Sequence, residues 1–254
     1  MKILRYRGET ITLATTVGFS QTLGIPPGMN ALRLEVPSAT LENISLALTP
    51  KIRAVQFYDD SAAAYTDLTA ALTDRNTTTG SDSSFNAMQA ADYIYVGCPN
   101  RYRGLSIDVA NNNSAGTATM AVNFWNGAAW ATTTPTDGTF STMTLTQDGL
   151  VTWTVPTTWE TTTVNGSIPL YFVRINVSAN LADTSVSMAQ LVSLANLTLN
   201  AATSDAEGID YMLLQSNNRT LPPYYIGFDV SLFGGIEMKS TSITSAANLT
   251  WLRV

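Results

Sequence analysis

The feature that most constrains this chain is a rhythm of short alternating runs. ALRLEVP (31–37) sets Leu32, Leu34 and Val36 on one side. ISLAL (44–48) and IRAVQFY (52–58) follow closely. DYIYVG (92–97), GLSIDVA (104–110), ATMAVNFW (118–125), LVTWTV (150–155) and LYFVRINVSA (170–179) continue the pattern. VSMAQLVSL, IDYMLLQ, YYIGFDVSLF and LTWLRV lie beyond residue 185. A period of two sends successive side chains to opposite faces, as a half-buried strand requires. Turn-forming clusters separate the runs: GIPPG at 24–28, CPNRYRG at 98–104, NNNSAG at 111–116, TPTDG at 134–138 and LPPYY at 221–225. The expected fold is all-β, an antiparallel β-sandwich or jelly roll with added N- and C-terminal β segments and little helix. SAAAYTDLTAALTDRN (61–76) reads equally as a short helix or an irregular loop. NTTTGSDSSFN (76–86) reads as an exposed polar loop.

The runs divide the chain coarsely. Residues 1–50 form an N-terminal β segment, 51–195 the main sandwich and 196–254 a C-terminal β segment. Three arrangements are open to the two ends: extra strands on the sandwich, a second small sheet, or a reach onto a neighbouring subunit. Met1–Thr16 is a candidate arm, since it carries Lys2, Arg5 and Arg7 and precedes a Gly/Pro turn. The N-terminus lacks the apolar stretch and cleavage site of a signal peptide. No window approaches the ~18–20 apolar residues of a bilayer span. The expectation is a soluble chain made in the cytoplasm. Cys98 is the only cysteine, so no internal disulfide forms. Asn-x-Ser/Thr triplets, at Asn43 and Asn176 for example, read as chance matches in an Asn- and Thr-rich chain.

Composition narrows the chemistry. Charged residues make up 13% of the chain, about half the usual share, and the net charge is −6. Such a balance argues against nucleic-acid binding, which needs clustered Lys and Arg to neutralise phosphates. There is no histidine. That removes the commonest general base, any Ser-His-Asp or Cys-His arrangement, and zinc held by Cys/His clusters. Carboxylate-pair hydrolysis stays formally open through Asp59, Asp60, Asp92, Asp108, Glu160, Asp205, Glu207 and Asp210, but ranks last. Asp59-Asp60, Asp137-Gly138 and Asp148-Gly149 read better as turns. Calcium on Asp59, Asp60 and Asp137 lacks any EF-hand-like spacing. Cys98 reads as a buried filler, because no base is present to activate it. No catalytic residue, cofactor or metal is expected.

The aromatic residues carry the remaining signal. Asn126-Gly127, after an alternating strand, predicts a hairpin with a type I′ turn. With Met120, Val122 and Phe124 facing the core, Trp125 falls on the other face with Thr119, Ala121 and Asn123. Trp130 enters the return strand. Trp153 alternates with Val151 and Val155 and reads as core, while Trp159 packs over a sheet edge. Aromatic rings left in solvent on a sandwich can stack on sugars. Trp125, Trp130 and Tyr102 are therefore the candidate glycan or partner contacts, with Lys2, Arg5 and Arg7 as candidate contacts to an acidic surface.

The succession YDDSAAAYTDLT (58–69), DYIYVGCPNRYRGLSIDV (92–109), VNFWNGAAW (122–130), TDGT (136–139), LTQDGLVTWTVPTTWETTTVNG (145–166) and LYFVRINVSANL (170–181) resembles a β-sandwich module of tailed-bacteriophage virion proteins. In that module an aromatic-Trp-Asn-Gly hairpin precedes an Asp-Gly-Thr turn. A strand with two spaced tryptophans then leads to a Tyr-Trp-x-Arg strand, where this chain has Phe172 in place of Trp. The resemblance spans roughly residues 55–182. It implies a virion structural protein, either head decoration, tail or baseplate. Head decoration (cement) is preferred, because the chain lacks the coiled coil or fibrous repeat of a tail fibre. The implied partners are the major capsid protein or other virion proteins and further copies of the chain, a trimer being favoured. Nucleic acid and membrane are not expected partners. A tail or baseplate subunit, or a carbohydrate- or receptor-binding module, is the alternative.

Overall fold

A computed structural model describes residues 5–13, 21–26, 28–36, 43–74, 88–181, 186–199, 206–208, 211–215, 223–240 and 245–254. The described elements begin with β1 (Arg5–Leu13), β2 (Gln21–Gly24), β3 (Ala31–Glu35), β4 (Asn43–Pro50), β5 (Ala54–Asp59), β6 (Ala64–Asp67) and the helix α1 (Thr69–Thr73). Next come β7 (Tyr93–Cys98), β8 (Gly104–Asn111), β9 (Met120–Trp125), β10 (Trp130–Thr132), β11 (Thr136–Asp137), β12 (Gly149–Thr152) and β13 (Tyr171–Val177). The last are β14 (Ser187–Ser193), β15 (Leu197–Leu199), β16 (Ala206–Gly208), β17 (Tyr211–Gln215), β18 (Tyr224–Gly227), β19 (Phe233–Ser240) and β20 (Ser245–Arg253). The fold is all-β and sandwich-like, with antiparallel sheets and one short helix. Among the described residues no helix is long and apolar enough to cross a membrane.

The chain makes two compact units, Ile52–Leu194 and a second joined from Met1–Lys51 and Ala195–Val254. The first is thus an insertion in the chain of the second. In the joined unit one sheet runs β1-β20-β3-β18 and another β17-β4-β19-β2. Leu32 and Leu34 of β3, Ile44 and Leu46 of β4, Met238 of β19 and Trp251 of β20 share one core. The described part of the candidate arm, Arg5–Leu13, is a strand: β1 pairs with β20 from Arg5↔Arg253 to Leu13↔Ser245. The described end segments pair with each other in sheets of their own, which is nearest to the second small sheet among the three arrangements. A fully buried carboxylate, Glu237, accepts a hydrogen bond from the Ala195 backbone N–H at 2.7 Å.

In the Ile52–Leu194 unit a six-stranded sheet, β10-β9-β13-β7-β5-β6, faces a four-stranded sheet, β11-β12-β8-β14. Val55, Ile94, Val96, Val122, Val173 and Ile175 fill the space from the first, and Leu105, Ile107, Val151 and Leu191 from the second. β-Branched residues at alternate positions suit a pleated inner face. The ambiguous segment 61–76 splits: β6 extends the sheet edge and α1 lasts five residues. The Asp67 carboxylate accepts hydrogen bonds from the Thr69 N–H at 2.9 Å and hydroxyl at 2.6 Å at the helix start.

Candidate functional site

Tyr102, Trp153 and Trp159 are framework, and of these only Tyr102 is among the candidate contacts. Tyr102 is fully buried and its hydroxyl donates to the Val96 carbonyl at 2.7 Å. Its ring is closed off from any ligand, which corrects its place among the contact residues. Trp153 is core, as its alternation predicts, and its indole N–H donates to the Tyr102 carbonyl at 3.1 Å. Trp159 is not an edge cover but the hub. It is fully buried, donates to the Phe172 carbonyl at 3.1 Å, and has the rings of Tyr102, Tyr171, Phe124 and Trp153 at 5.1, 5.9, 6.3 and 6.5 Å. Such edge-on and tilted pairs add to the hydrophobic gain of burial.

Trp125 and Trp130 behave differently. They stand opposite each other across β9 and β10, with ring centroids 5.7 Å apart, and both are half-buried. They occupy the face of the six-stranded sheet turned away from the inter-sheet core. Strand register adds residues that are remote in sequence. Asn123, Arg174, Tyr95, Gln56 and Asp67 form one row across β9, β13, β7, β5 and β6. A second row pairs Tyr93 with Tyr58 and Tyr58 with Tyr65. Tyr95 lies 5.5 Å from Trp130, 6.0 Å from Tyr93 and 6.1 Å from Tyr65, and Tyr65 lies 4.9 Å from Tyr58. The Arg174 guanidinium sits 4.3 Å above the Tyr93 ring and 5.1 Å above that of Trp130. Its Nε is buried without an acceptor. Burial pushes the Tyr95 phenol up to about 12, against a smaller lowering by Arg174. Six aromatic rings thus share this face, two of them directly against one planar cation, a composition typical of contact hot spots.

A turn from the β12–β13 connection borders this face. Thr162 and Leu170 pair, and Ser167 donates to the Val164 carbonyl at 3.0 Å. Asn165 and Gly166 both have positive φ, 49° and 73°, so the type I′ turn is here. Asn126-Gly127 closes its hairpin otherwise, in a four-residue loop whose Asn126 side chain accepts from the N–H groups of Ala128 and Ala129 at 3.0 and 2.8 Å. Asn126 lacks the positive φ a type I′ turn needs, which corrects that expectation. Val164 and Leu170 pack on Ala54, Tyr95 and Phe172, and Asn165 donates to the Gln56 side chain at 3.0 Å. Gly97 is required beneath: a Cβ there would meet the Phe172 ring at 2.5 Å. Between the turn and β5–β6 lies a cleft of about 360 Å³, bordered by Arg53, Gln56, Asp67, Thr69, Asn165 and Ile168.

The basic candidates lie elsewhere. Arg5 and Arg7 sit on β1 opposite Arg253 and Trp251. Their side chains, and Lys2 altogether, fall outside the described residues. So do Asp205, Asp210 and the side chain of Glu207. Asp59, Asp92 and Asp137 are tied into turns. Asp59 accepts from the Ser61 hydroxyl at 2.7 Å and the Ala62 N–H at 3.0 Å, which holds it below the usual carboxylate range. Asp92 accepts from the N–H groups of Asp60 and Gln89 at 2.9 and 2.7 Å. Asp137 accepts from the Thr139 N–H at 2.9 Å and hydroxyl at 2.6 Å. Asp108 is pushed up by burial and by neighbouring Asp148, whose carboxylate accepts from the Val109 N–H at 2.8 Å. Among the described residues no three acidic or thiol groups converge on a metal-sized site. The Cys98 thiol is buried, and burial pushes it far above its ordinary range. No protein-family model and no curated protein matches the chain.

Proposed function

We propose that this chain is a non-enzymatic structural protein of a tailed-phage virion. Its preferred seat is the head surface, as a decoration (cement) protein bound to the capsid lattice as a homo-oligomer, a trimer being favoured. The observation that carries the reading is the Trp159 hub. Residues spread through the phage-like stretch, from Tyr102 to Tyr171, converge there as interior packing. The resemblance therefore falls on residues that specify a scaffold, and a scaffold is what a lattice-binding module needs. The carboxylates tied to backbone amides at turns add support, because they serve as turn anchors.

The mechanism is linkage. A protein that binds the assembled lattice and not its separated subunits stabilises the lattice by mass action. A standard interface of about 1,200–2,000 Å² per contact suffices. Purified protein added to expanded capsids that lack it should bind at stoichiometric sites. It should raise the temperature at which they rupture and their resistance to osmotic shock. Absence of binding, with capsids equally stable in both states, refutes the cement role. Binding to tails or baseplates instead moves the seat and leaves the fold argument unchanged.

A further inference from the structure

We propose that the outer face of the six-stranded sheet binds an acidic saccharide, with its carboxylate on Arg174 and a sugar ring against Trp125 and Trp130. This goes beyond the structural role and does not rest on it. The cation comes first. Arg174 has no carboxylate partner among the described residues; the ion pair described is Arg33–Glu35, in the other unit. Its neighbours are the rings of Tyr93 and Trp130 and the Tyr95 phenol. Arg174 as a residue is only partly buried. Its Nε–H is buried without an acceptor, so an incoming carboxylate takes the terminal N–H groups, in the forked geometry that arginine favours.

The second element is the aromatic surface. Trp125 and Trp130 are half-buried and paired with ring centroids 5.7 Å apart, and Trp130 lies next to the cation. The apolar face of a pyranose stacks on such rings. The third is the cleft. Its volume of about 360 Å³ lies at the small end of the ligand-pocket range, and Gln56, Asp67, Thr69, Asn165 and Ser167 border it with amides, hydroxyls and one carboxylate. Gln56 belongs to the same row as Arg174, with Tyr95 between them.

The balance of groups decides between sugar and acidic peptide. An acidic peptide carries a charge on most residues and calls for several cations. A uronic or sialic acid presents one carboxylate amid many hydroxyls. This face offers few charges, Arg174 beside the rings and Arg53 and Asp67 at the cleft, amid many neutral hydrogen-bonding groups.

The test titrates the full chain with trimers of galacturonate and of sialic acid, following tryptophan fluorescence. Maltotriose is the uncharged sugar and tri-glutamate the sugar-free acid. Saturable binding of at least one acidic trimer is expected, at least tenfold tighter than maltotriose or tri-glutamate and weakened by salt. Arg174→Gln should weaken it at least tenfold and Arg174→Lys by less. Trp125→Ala gives a second reading that leaves Arg174 in place and should also weaken binding at least tenfold. Each variant is first checked for an unchanged melting temperature. No binding by either acidic trimer, equal binding of tri-glutamate, or full affinity in both Arg174→Gln and Trp125→Ala overturns the proposal.

Discussion

Trp159 is the residue on which the Ile52–Leu194 unit depends most. It fills the meeting point of four other rings and satisfies the Phe172 carbonyl. Trp159→Ala removes both the packing and the hydrogen bond, and should cost about 3–5 kcal/mol in urea unfolding. Trp159→Phe, which keeps a ring and loses the N–H, should cost less. Tyr95 makes a pH prediction. Its phenol titrates near about 12 when folded, against roughly 10 in the unfolded chain. The folded pKa is the higher one, so the folded state keeps a proton that the unfolded state has released between those values. The stabilising contribution is whole below pH ~10 and is lost as pH rises through the folded pKa. Urea midpoints should therefore fall more steeply from pH 9 to pH 12 in the native chain than in Tyr95→Phe. Parallel slopes would contradict the assignment. Period-two alternation is enough to put Phe124 inside and Trp125 outside. It carries no information on Tyr102, whose burial depends on a loop path.

At the scale of elements, the alternating runs name most strands to within a few residues. β9 and β13 fall inside stretches legible by period, and β5, β7 and β8 overrun theirs by one residue. Turn type is less legible. The sequence holds two Asn-Gly pairs in the sandwich, and each follows a strand-like run. Asn165-Gly166 takes positive φ at both positions, whereas Asn126 turns its side chain onto the loop amides. Loop length separates them, and pairing sets loop length. The two turns should respond differently to mutation. Gly166→Ala places a Cβ in the left-handed region and should cost about 1–2 kcal/mol. Asn126→Ala removes an acceptor shared by two N–H groups and should cost about 0.5–1.5 kcal/mol. Asn126→Gly should not rescue that loss, because the side-chain oxygen and not backbone freedom closes the loop. The aromatic face is the least legible element. Arg174, Tyr95, Gln56 and Tyr65 come from four strands, and only strand register brings them together.

For the whole molecule, the strongest sequence signal lies in the inserted unit, where strands that pair are often near in sequence. The joined unit depends on contacts between chain ends. β1 meets β20 across almost the full length of the chain, and nothing local in RYRGETITL announces that partner. Basic residues there suggest an arm, while the nine-residue ladder makes a strand. A chain built so, with two sandwich-like units and turn-bound carboxylates, suits a role in which binding itself is the work. The most direct test of the proposed virion role is to average images of phage particles assembled with and without this gene. The account predicts density for this two-unit chain at repeated positions on the head lattice, missing from particles without the gene. Density confined to the tail, or virions identical in both states, would contradict it.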